Sequence, residues 1–335
     1  MRTRVFGLFA AIALASAASV SLTAQVAGGG QAPAARSAAS GAAAEGVPRT
    51  PWGDPNLQGV WDYRTITPLE RPRDLGDREF LSDEEAAALE TRAAARLDEA
   101  PDEDPRGAIT VHAPYWTDPG RFVLEDKRTS LIVDPPDGRV PPMTPEAQAA
   151  RLPTGGFGTR ADSWEDRSSM ERCITQGFPR SIMPTLYNNN IQIVQSPGTV
   201  AVVHEMIHEV RVIPIDGRAH LTDGLRPIIG DSRGHWEGET LVVETTNFSD
   251  QSNFRGSSKN LTLVERFTRI DADTLGYELT IADPTVWAQP WTVAYPMRPS
   301  EGPIYEYACH EGNSGLQNIL EVARDEEKAA AGPAR

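Results

Sequence analysis

The feature that most constrains the fold is a series of short β-branched runs that begins at residue 191. Seven runs follow one another along the chain: IQIVQS, TVAVVHEMIHEVRVIPID, TLVVETTNF, LTLVERFTRI, TLGYELTIAD, WTVAYPM and IYEYAC. Turn-forming sequences such as SPG, EGE and DAD separate them, at a spacing typical of an antiparallel meander. No helix-length pattern lies between the runs, which disfavours a parallel α/β architecture. We therefore predict a mainly β fold, an antiparallel barrel or sandwich.

The first 24 residues have the order of a secretory signal peptide, with a charged start, an apolar run and a small-residue end. Arg2 and Arg4 precede the run VFGLFAAIALASAASV, and small residues lead to Ala24. The run has about 16 residues, fewer than the roughly 20 that a membrane-spanning helix needs. We predict cleavage after Ala24, no membrane span after signal removal, and a periplasmic or secreted location.

The rest of the chain is predicted to have three parts. Residues 25–50 are rich in Ala, Gly, Ser and Pro and contain no aromatic residue, which indicates a disordered leader. Residues 51–190 are predicted to be a loop-rich and helical N-terminal part, with a short strand at 59–67. Residues 191–325 are predicted to be the antiparallel β-domain.

Two helices are predicted within the N-terminal part. The segment 80–98 has strong helix formers throughout, with Ser82 as N-cap and Glu85 as its capping-box partner. It is predicted to end in the polar, Pro-containing stretch 101–105. A second helix is expected after Pro145, and the Gly-, Pro- and Asn-rich residues 153–190 are predicted to form an ordered loop.

The acidic charge of the chain bears on its partners. The formal net charge is -15, and removal of a signal peptide that contains two arginines makes it more negative. Such a surface repels phosphate backbones, so we expect no nucleic-acid partner.

The two cysteines, Cys173 and Cys309, are expected to pair. In an oxidising compartment two cysteines are more often bridged than free, and the alternative is two buried thiols. A bridge would close a loop of about 136 residues, which by chain entropy stabilises the fold by roughly 4 to 5 kcal/mol at most.

The string HEMIH at residues 204–208 matches the zinc-protease pattern H-E-x-x-H. That chemistry requires a helix, because only there do positions i and i+4 share a face. The β-branched flanks TVAVV and EVRVIP favour a continuous strand instead. On a strand His204 and His208 share one face, about 13 Å apart, while Glu205 and Arg211 share the other and could form an ion pair. We therefore predict no metal site.

Two further segments concentrate polar side chains beside predicted strands. The turn PIDGRAHL places Asp216, Arg218 and His220 near one another, either as a simple Asp-Gly turn or as an acid/base group at the mouth of a barrel. The stretch IYEYACHEGN surrounds Cys309 with hydrogen-bonding side chains, and two tryptophans in DPTVWAQPWTV are expected to be core or pocket wall.

These observations give a defined set of candidate site residues. The catalytic candidates are His310, Glu311, His220, Glu205 and Tyr307. The ligand-binding candidates are His208, Arg211, Asp216, Arg218, Trp287, Trp291 and Asn313. The sequence contains no phosphate-binding glycine loop, G-x-S-x-G elbow or C-x-x-C motif, and we assign no cofactor.

Several blocks of the chain resemble a large, mostly uncharacterised family of exported bacterial proteins. They are RCITQGFPR, HEMIHEVRVIPIDGRAH, GDSRGHWEGETLVVETTNFSD, LVERFTRIDADTLGYELTIADPTVWAQPWT and YEYACHEGN. The resemblance covers roughly residues 50 to 325 and implies export without implying a substrate. The strand spacing and Leu57–Trp61 are also similar to lipocalin-like barrels, by analogy alone.

The preferred hypothesis is an extracytoplasmic β-barrel whose mouth binds a small organic ligand. One alternative is a secreted hydrolase or lyase that uses His/Glu acid-base chemistry at the mouth of the barrel. Another is an envelope scaffold protein without a small-molecule site. An enzyme should bring at least two of His208, His220 and His310 together in a concave pocket, whereas a binder should have these histidines satisfied elsewhere.

Overall fold

The computed structural model describes residues 47–98, 117–150 and 161–331. The predicted signal peptide, the leader as far as residue 46 and the predicted helix end at 101–105 lie outside the described residues. The last of the three described segments contains the whole of the predicted β-domain.

The fold is mainly β, as the sequence predicts. The strands are β1 (Gly59–Asp62), β2 (Ile132–Asp134), β3 (Asn190–Ser196), β4 (Thr199–His204), β5 (Val210–Pro214), β6 (Asp231–Glu237), β7 (Thr240–Thr246), β8 (Thr262–Arg269), β9 (Leu275–Ala282) and β10 (Trp291–Pro299). The helices are α1 (Asp83–Asp98), α2 (Pro145–Ala150) and α3 (Ser314–Ala331).

Nine of the strands form an antiparallel meander that is nearly closed into a barrel. The order across the sheet is β5-β4-β3-β1-β10-β9-β8-β7-β6, and β2 pairs with β10 outside this path. Because the count is odd and every neighbouring pair is antiparallel, the two terminal strands β5 and β6 run in the same direction. They are joined by residues 215–230, the kind of long crossover that parallel neighbours require.

The seam between β5 and β6 is filled by side chains. Gly234 in β6 lies against Ile213 and Ile215, and a Cβ at this glycine would be 2.8 Å from the Ile215 Cγ2 and 3.1 Å from the Ile213 Cγ2. The missing side chain at position 234 therefore allows the two ends of the sheet to approach.

The interior of the barrel is a packed core. Strand β9 alternates buried and half-buried residues along its whole length, and β3 and β8 follow the same period of two over most of theirs. The inward side chains include Trp61, Ile191, Ile193, Val200, Val202, Leu263, Phe267, Tyr277, Leu279, Ile281, Val293 and Tyr295. Unlike a lipocalin-type cup, this interior is filled by the chain's own residues.

The run TVAVVHEMIHEVRVIPID is not the continuous strand that its β-branched flanks predict. It folds as the hairpin of β4 and β5, joined by a short 3-10 turn at Met206–His208. Ile207 has a φ of 55° and His208 a φ of 42°, so the pleat of the strand is broken between β4 and β5. The predicted odd and even faces are therefore wrong here, because both His204 and Arg211 point into the core.

One other local prediction is wrong. The run IYEYAC at residues 304–309 is irregular and does not form a strand. The helix α3 has no counterpart among the sequence predictions. Part of the N-terminal segment enters the main sheet, because β1 lies between β3 and β10.

The predicted helices are confirmed. Helix α1 begins after Ser82, whose hydroxyl accepts from the Glu85 backbone N–H while the Glu85 carboxylate accepts from the Ser82 N–H. Helix α2 begins at Pro145, as expected. Among the helices that the structure describes, none is both long and apolar enough to cross a bilayer.

The packing of the seam gives a stability prediction. We expect Gly234→Ala to lower the free energy of unfolding by about 1 to 3 kcal/mol, because the new methyl group must displace Ile213 and Ile215. Urea denaturation measures the change. Gly224→Ala is the matched control, since a Cβ there meets nothing within 4 Å, and it should be neutral or slightly stabilising. Equal effects of the two substitutions would contradict the packed seam.

Candidate functional site

One end of the barrel is covered by residues 177–183, which we call the plug. At this covered end β3, β5, β6 and β8 begin, and β4, β7 and β9 end. The plug residues Ser181 and Ile182 are fully buried. Because the plug lies within the mouth of the barrel, its backbone polar groups need partners from the strands.

The strands supply these partners. The Ser181 carbonyl accepts from the Tyr63 hydroxyl and from the His204 Nδ1, each at 3.0 Å. The Ile182 carbonyl accepts from the Tyr295 hydroxyl. The carboxylate of Glu209, at the start of β5, accepts from the side-chain hydroxyl groups of Ser181 and Thr175, and burial raises the pKa of Glu209. The plug is therefore held by side-chain bonds from several different parts of the barrel.

Beneath the plug lies a buried ion pair between β5 and β8. The Arg211 guanidinium donates to both carboxylate oxygens of Glu265, one of them at 3.0 Å, and both side chains are inaccessible to solvent. The Tyr277 hydroxyl donates to the same carboxylate at 3.0 Å, and burial beside Glu265 raises the pKa of Tyr277 well above its usual value. The Phe178 ring of the plug covers the guanidinium at 3.7 Å. The expected partnership of Arg211 with Glu205 is not formed, and Glu205 instead accepts from the Asn190 amide at 2.8 Å.

The two histidines of the HEMIH string point to different environments. His204 is completely buried, and because its Nδ1 faces a carbonyl, that nitrogen carries the proton. Burial, together with nearby Arg211, lowers the pKa of His204 to about 3, so the ring is neutral. His208 is exposed, with its Nδ1 at 3.1 Å from the Tyr307 carbonyl oxygen. Among the described residues there is no group of three or more His, Cys, Asp or Glu side chains that could hold a metal ion.

The C-terminal candidates surround the disulfide. Cys173 and Cys309 are bridged, as the sequence predicts. The Asn313 side chain donates to the Glu171 carbonyl at 3.0 Å and accepts from the Leu316 N–H at the start of α3. Its contacts join the disulfide loop to the C-terminal helix. The candidates His310 and Glu311 are exposed beside this junction.

The turn candidates separate into two groups. Asp216 and Arg218 form an exposed ion pair with each other, which lowers the pKa of Asp216 to about 2. His220 instead lies against Asp231, with its Nδ1 at 2.9 Å from a carboxylate oxygen. Arg233 and the Leu221 N–H donate to the same carboxylate. The structure thus orients His220 through Asp231, a partner that sequence spacing did not single out.

The tryptophans Trp287 and Trp291 belong to the core. Both are buried, and their rings meet edge to face at a centroid distance of 5.8 Å. Phe254 stacks on Trp291 at 6.2 Å. They form an aromatic cluster within the hydrophobic core.

A cleft of about 550 Å³ lies at the covered end, beside the plug. It is lined by residues between 164 and 180 and by Ile228 and residues 251–253. We call it the arginine cleft, because Arg167, Arg172 and Arg180 are among its lining residues. Only one acidic residue, Glu165, is among the lining residues described. None of the candidate site residues predicted from sequence lines this cleft.

The three arginines have different partners. Arg167 forms a buried ion pair with Glu171. The Arg172 guanidinium lies over the Trp164 ring at 4.6 Å from its centroid. Burial and nearby Arg255 lower the pKa of Arg180 from its usual value. The only sequence signal for this cleft was the spacing of arginines around Cys173 in the string DRSSMERCITQGFPR.

Comparison with known proteins gives no match that bears on this geometry. No protein-family model matches the chain, and no curated protein matches it either. The function is therefore inferred from the geometry of the covered end.

The buried state of His204 predicts a pH dependence. Its pKa is about 3 in the folded chain and about 6.5 when unfolded, so below pH 6.5 the unfolded state binds more protons. We expect His204 to remove up to about 1.4 kcal/mol of stability per pH unit as the pH falls from 6.5 towards 3. Urea denaturation between pH 7 and 4 measures this slope. It should flatten in His204→Gln and persist in His208→Gln, since His208 is exposed. An NMR titration that shows His204 protonated at pH 5 would contradict the expectation.

The buried ion pair predicts non-additive substitutions. Arg211→Met should cost about 3 to 5 kcal/mol, because it leaves the Glu265 carboxylate buried without its cation. The double variant Arg211→Met/Glu265→Leu should be more stable than the single one, since no buried charge remains. Chemical denaturation of four proteins, namely the wild type, Arg211→Met, Glu265→Leu and the double variant, gives the coupling energy. Additive effects would show that the two charges do not depend on each other.

Proposed function

We propose that this chain is exported and acts, in the periplasm or outside the cell, as a small-molecule-binding β-barrel protein whose ligand occupies the arginine cleft. The observation that carries the proposal is the cleft itself. Its volume of about 550 Å³ lies within the range of roughly 300 to 1,000 Å³ that is usual for small-molecule sites.

The composition of the cleft supports binding of an organic molecule. Trp164 and Ile174 are large apolar side chains that line it and remain about half exposed, at 51% and 47%. Guanidinium groups and a side-chain amide supply polar contacts. Apolar walls with a few polar groups are characteristic of ligand sites.

The positions of the histidines favour a binder over an enzyme. His204 bonds to the plug carbonyl, His208 contacts the Tyr307 carbonyl, and His220 contacts Asp231. None of them is among the residues that line the cleft. This matches the expectation for a binding protein, in which the histidines are satisfied elsewhere.

Export is supported by the N-terminal pattern and by the disulfide. The charged, apolar and small-residue order of residues 1–24 is that of a secretory signal. The Cys173–Cys309 bridge is of the kind that persists in oxidising compartments.

One observation favours the alternative of a hydrolase or lyase. The Asp231 carboxylate contacts the Nδ1 of the His220 imidazole. This is the arrangement in which a carboxylate orients a histidine that acts as an acid or base. Mass spectrometry of a bound compound recovered after incubation distinguishes the two functions. A binder returns the compound unchanged, whereas conversion that is lost in His220→Gln would support the enzyme.

The proposal is tested by thermal-shift screening of the disulfide-bonded chain against metals and aromatic, sugar and lipid-like compounds. A compound that binds the native state raises the melting temperature, by an amount that grows with its concentration over Kd. We expect at least one organic hit whose shift disappears in Ser169→Trp, since this substitution places a large side chain in the cleft. The shift should persist in Ser196→Trp, at the opposite end of the barrel. Hits that are insensitive to Ser169→Trp, or no organic hits, would refute the cleft as the site.

A further inference from the structure

The arginine cleft carries positive charge on an otherwise acidic protein. The chain has a formal net charge of -15, yet three arginines and one glutamate are among the residues described as lining the cleft. Because Arg167 is paired with Glu171, the charge available to a ligand comes from the other two arginines. Their surroundings decide what they can bind.

Arg180 is a half-buried cation that follows Phe178 and Pro179 in the plug. Within the described parts of the chain no acidic side chain pairs with it. The charged group that acts on it is a second guanidinium, that of Arg255, and burial together with this proximity lowers the pKa of Arg180. Arg255 is itself paired with Glu70 at 3.1 Å. A partly desolvated cation near a like charge is stabilised by an anion.

Arg172 and Trp164 provide a flat wall. The guanidinium lies over the indole at 4.6 Å from the ring centroid, and no acidic partner of Arg172 occurs among the described residues. Stacking keeps the guanidinium plane fixed while its N–H groups stay free to donate at their edge. Half of the Trp164 surface is exposed, so a planar apolar group can pack against this wall.

Gln176 adds a specific polar contact. Gln176 is among the residues that line the cleft, and its amide oxygen is buried and accepts no hydrogen bond from the part of the chain that the structure describes. A buried acceptor without a donor costs about 1 to 3 kcal/mol of the folding free energy. A ligand that carries a hydroxyl or amino donor would satisfy it.

We infer that the arginine cleft recognises an aromatic carboxylate, with the carboxylate on Arg180, the ring beside Trp164 and Arg172, and a hydrogen-bond donor directed to Gln176. This inference rests on the proposed function and names the ligand class for the same site. The planar fork of an arginine matches the two oxygens of a carboxylate.

A carboxylate fits better than a phosphate monoester. A dianion would meet about twice the repulsion from the acidic surface, and Glu165 at the cleft adds to it. A carboxylate carries one negative charge and still accepts two hydrogen bonds from one guanidinium.

Three probes with a common ring system test the charge requirement: 2-naphthoate, 2-naphthamide and 2-naphthyl phosphate. Titration calorimetry on the full disulfide-bonded chain measures each affinity. We expect 2-naphthoate to bind at least about 10-fold more tightly than the neutral amide, because hydrogen bonds between charged groups are the stronger ones. A 2-naphthoate with an added hydroxyl should gain affinity that Gln176→Leu removes.

The variants assign the effect to Arg180. Arg180→Gln should weaken 2-naphthoate binding at least about 10-fold. The affinity of Arg180→Lys should lie between those of the wild type and Arg180→Gln, because lysine keeps the positive charge but cannot donate two parallel hydrogen bonds to the carboxylate. Arg92→Gln, which removes an exposed arginine of α1 outside the cleft, should leave the affinity within about 2-fold. Circular dichroism confirms that each variant is folded.

The outcomes separate the inference from the proposed function. Equal affinity for naphthoate and naphthamide, tighter binding of the phosphate, or insensitivity to Arg180→Gln overturns the carboxylate assignment. If none of the three probes binds while the screen finds other ligands that Ser169→Trp blocks, the inference fails and the proposed function is retained. If no organic compound binds at all, both fail.

Discussion

The Arg211–Glu265 ion pair is the interaction on which the covered end of the barrel depends. Its two charges lie in the interior, on β5 and β8, and each needs a partner because the desolvation of an unpaired ion costs several kcal/mol. Glu265 is satisfied by the guanidinium and by the Tyr277 hydroxyl. Arg211 needs a cover on its flat face as well, and Phe178 of the plug provides it.

This pair also connects β5 and β8, two strands that are not hydrogen-bonded to each other in the sheet. β5 and β6 are the ends of the sheet path, so the barrel is closed between them by side chains. The ion pair links β5 to β8 through the interior of the barrel, and so it connects strands that lie on the two sides of this seam. The isoleucines that pack on Gly234 complete the closure from the side. The interior of the barrel is consequently filled by side chains. The concave surface that could bind a ligand, the arginine cleft, lies outside the interior, beside the plug.

The arginine cleft is a consequence of how the plug is held. The chain that leads into the plug carries Arg172 and Ile174, and the disulfide at Cys173 ties it to the C-terminal segment. Farther along this segment, the hydroxyl groups of Thr175 and Ser181 donate hydrogen bonds to the carboxylate of Glu209, at the start of β5. The loop is thus fixed at both ends, which places its arginines and Trp164 in a defined arrangement. A site of fixed geometry loses less conformational entropy when a ligand binds.

How far the sequence predicts the structure depends on the element. The β-branched runs and the turn-forming sequences between them were sufficient to predict β3, β7, β8, β9 and β10. The same rule failed at HEMIH, where Ile207 and His208 adopt positive φ values that a β-branched residue rarely takes. It also failed at IYEYAC, which has strand-forming residues and pairs with no strand. The site residues of the cleft were missed because no periodic pattern marks an irregular loop.

The sequence by itself determined the β-rich meander, the capped helix α1 and the cysteine pair, because these follow from local periodicity, capping chemistry and the number of cysteines. Only the tertiary structure decided which residues meet across the interior. Arg211 pairs with a residue 54 positions away, and Asp231 orients His220, because strand order brings distant segments together. It also decided that the barrel is filled and that the cleft lies beside the plug. Such contacts depend on the geometry of the whole barrel, which the spacing of residues along the chain does not contain.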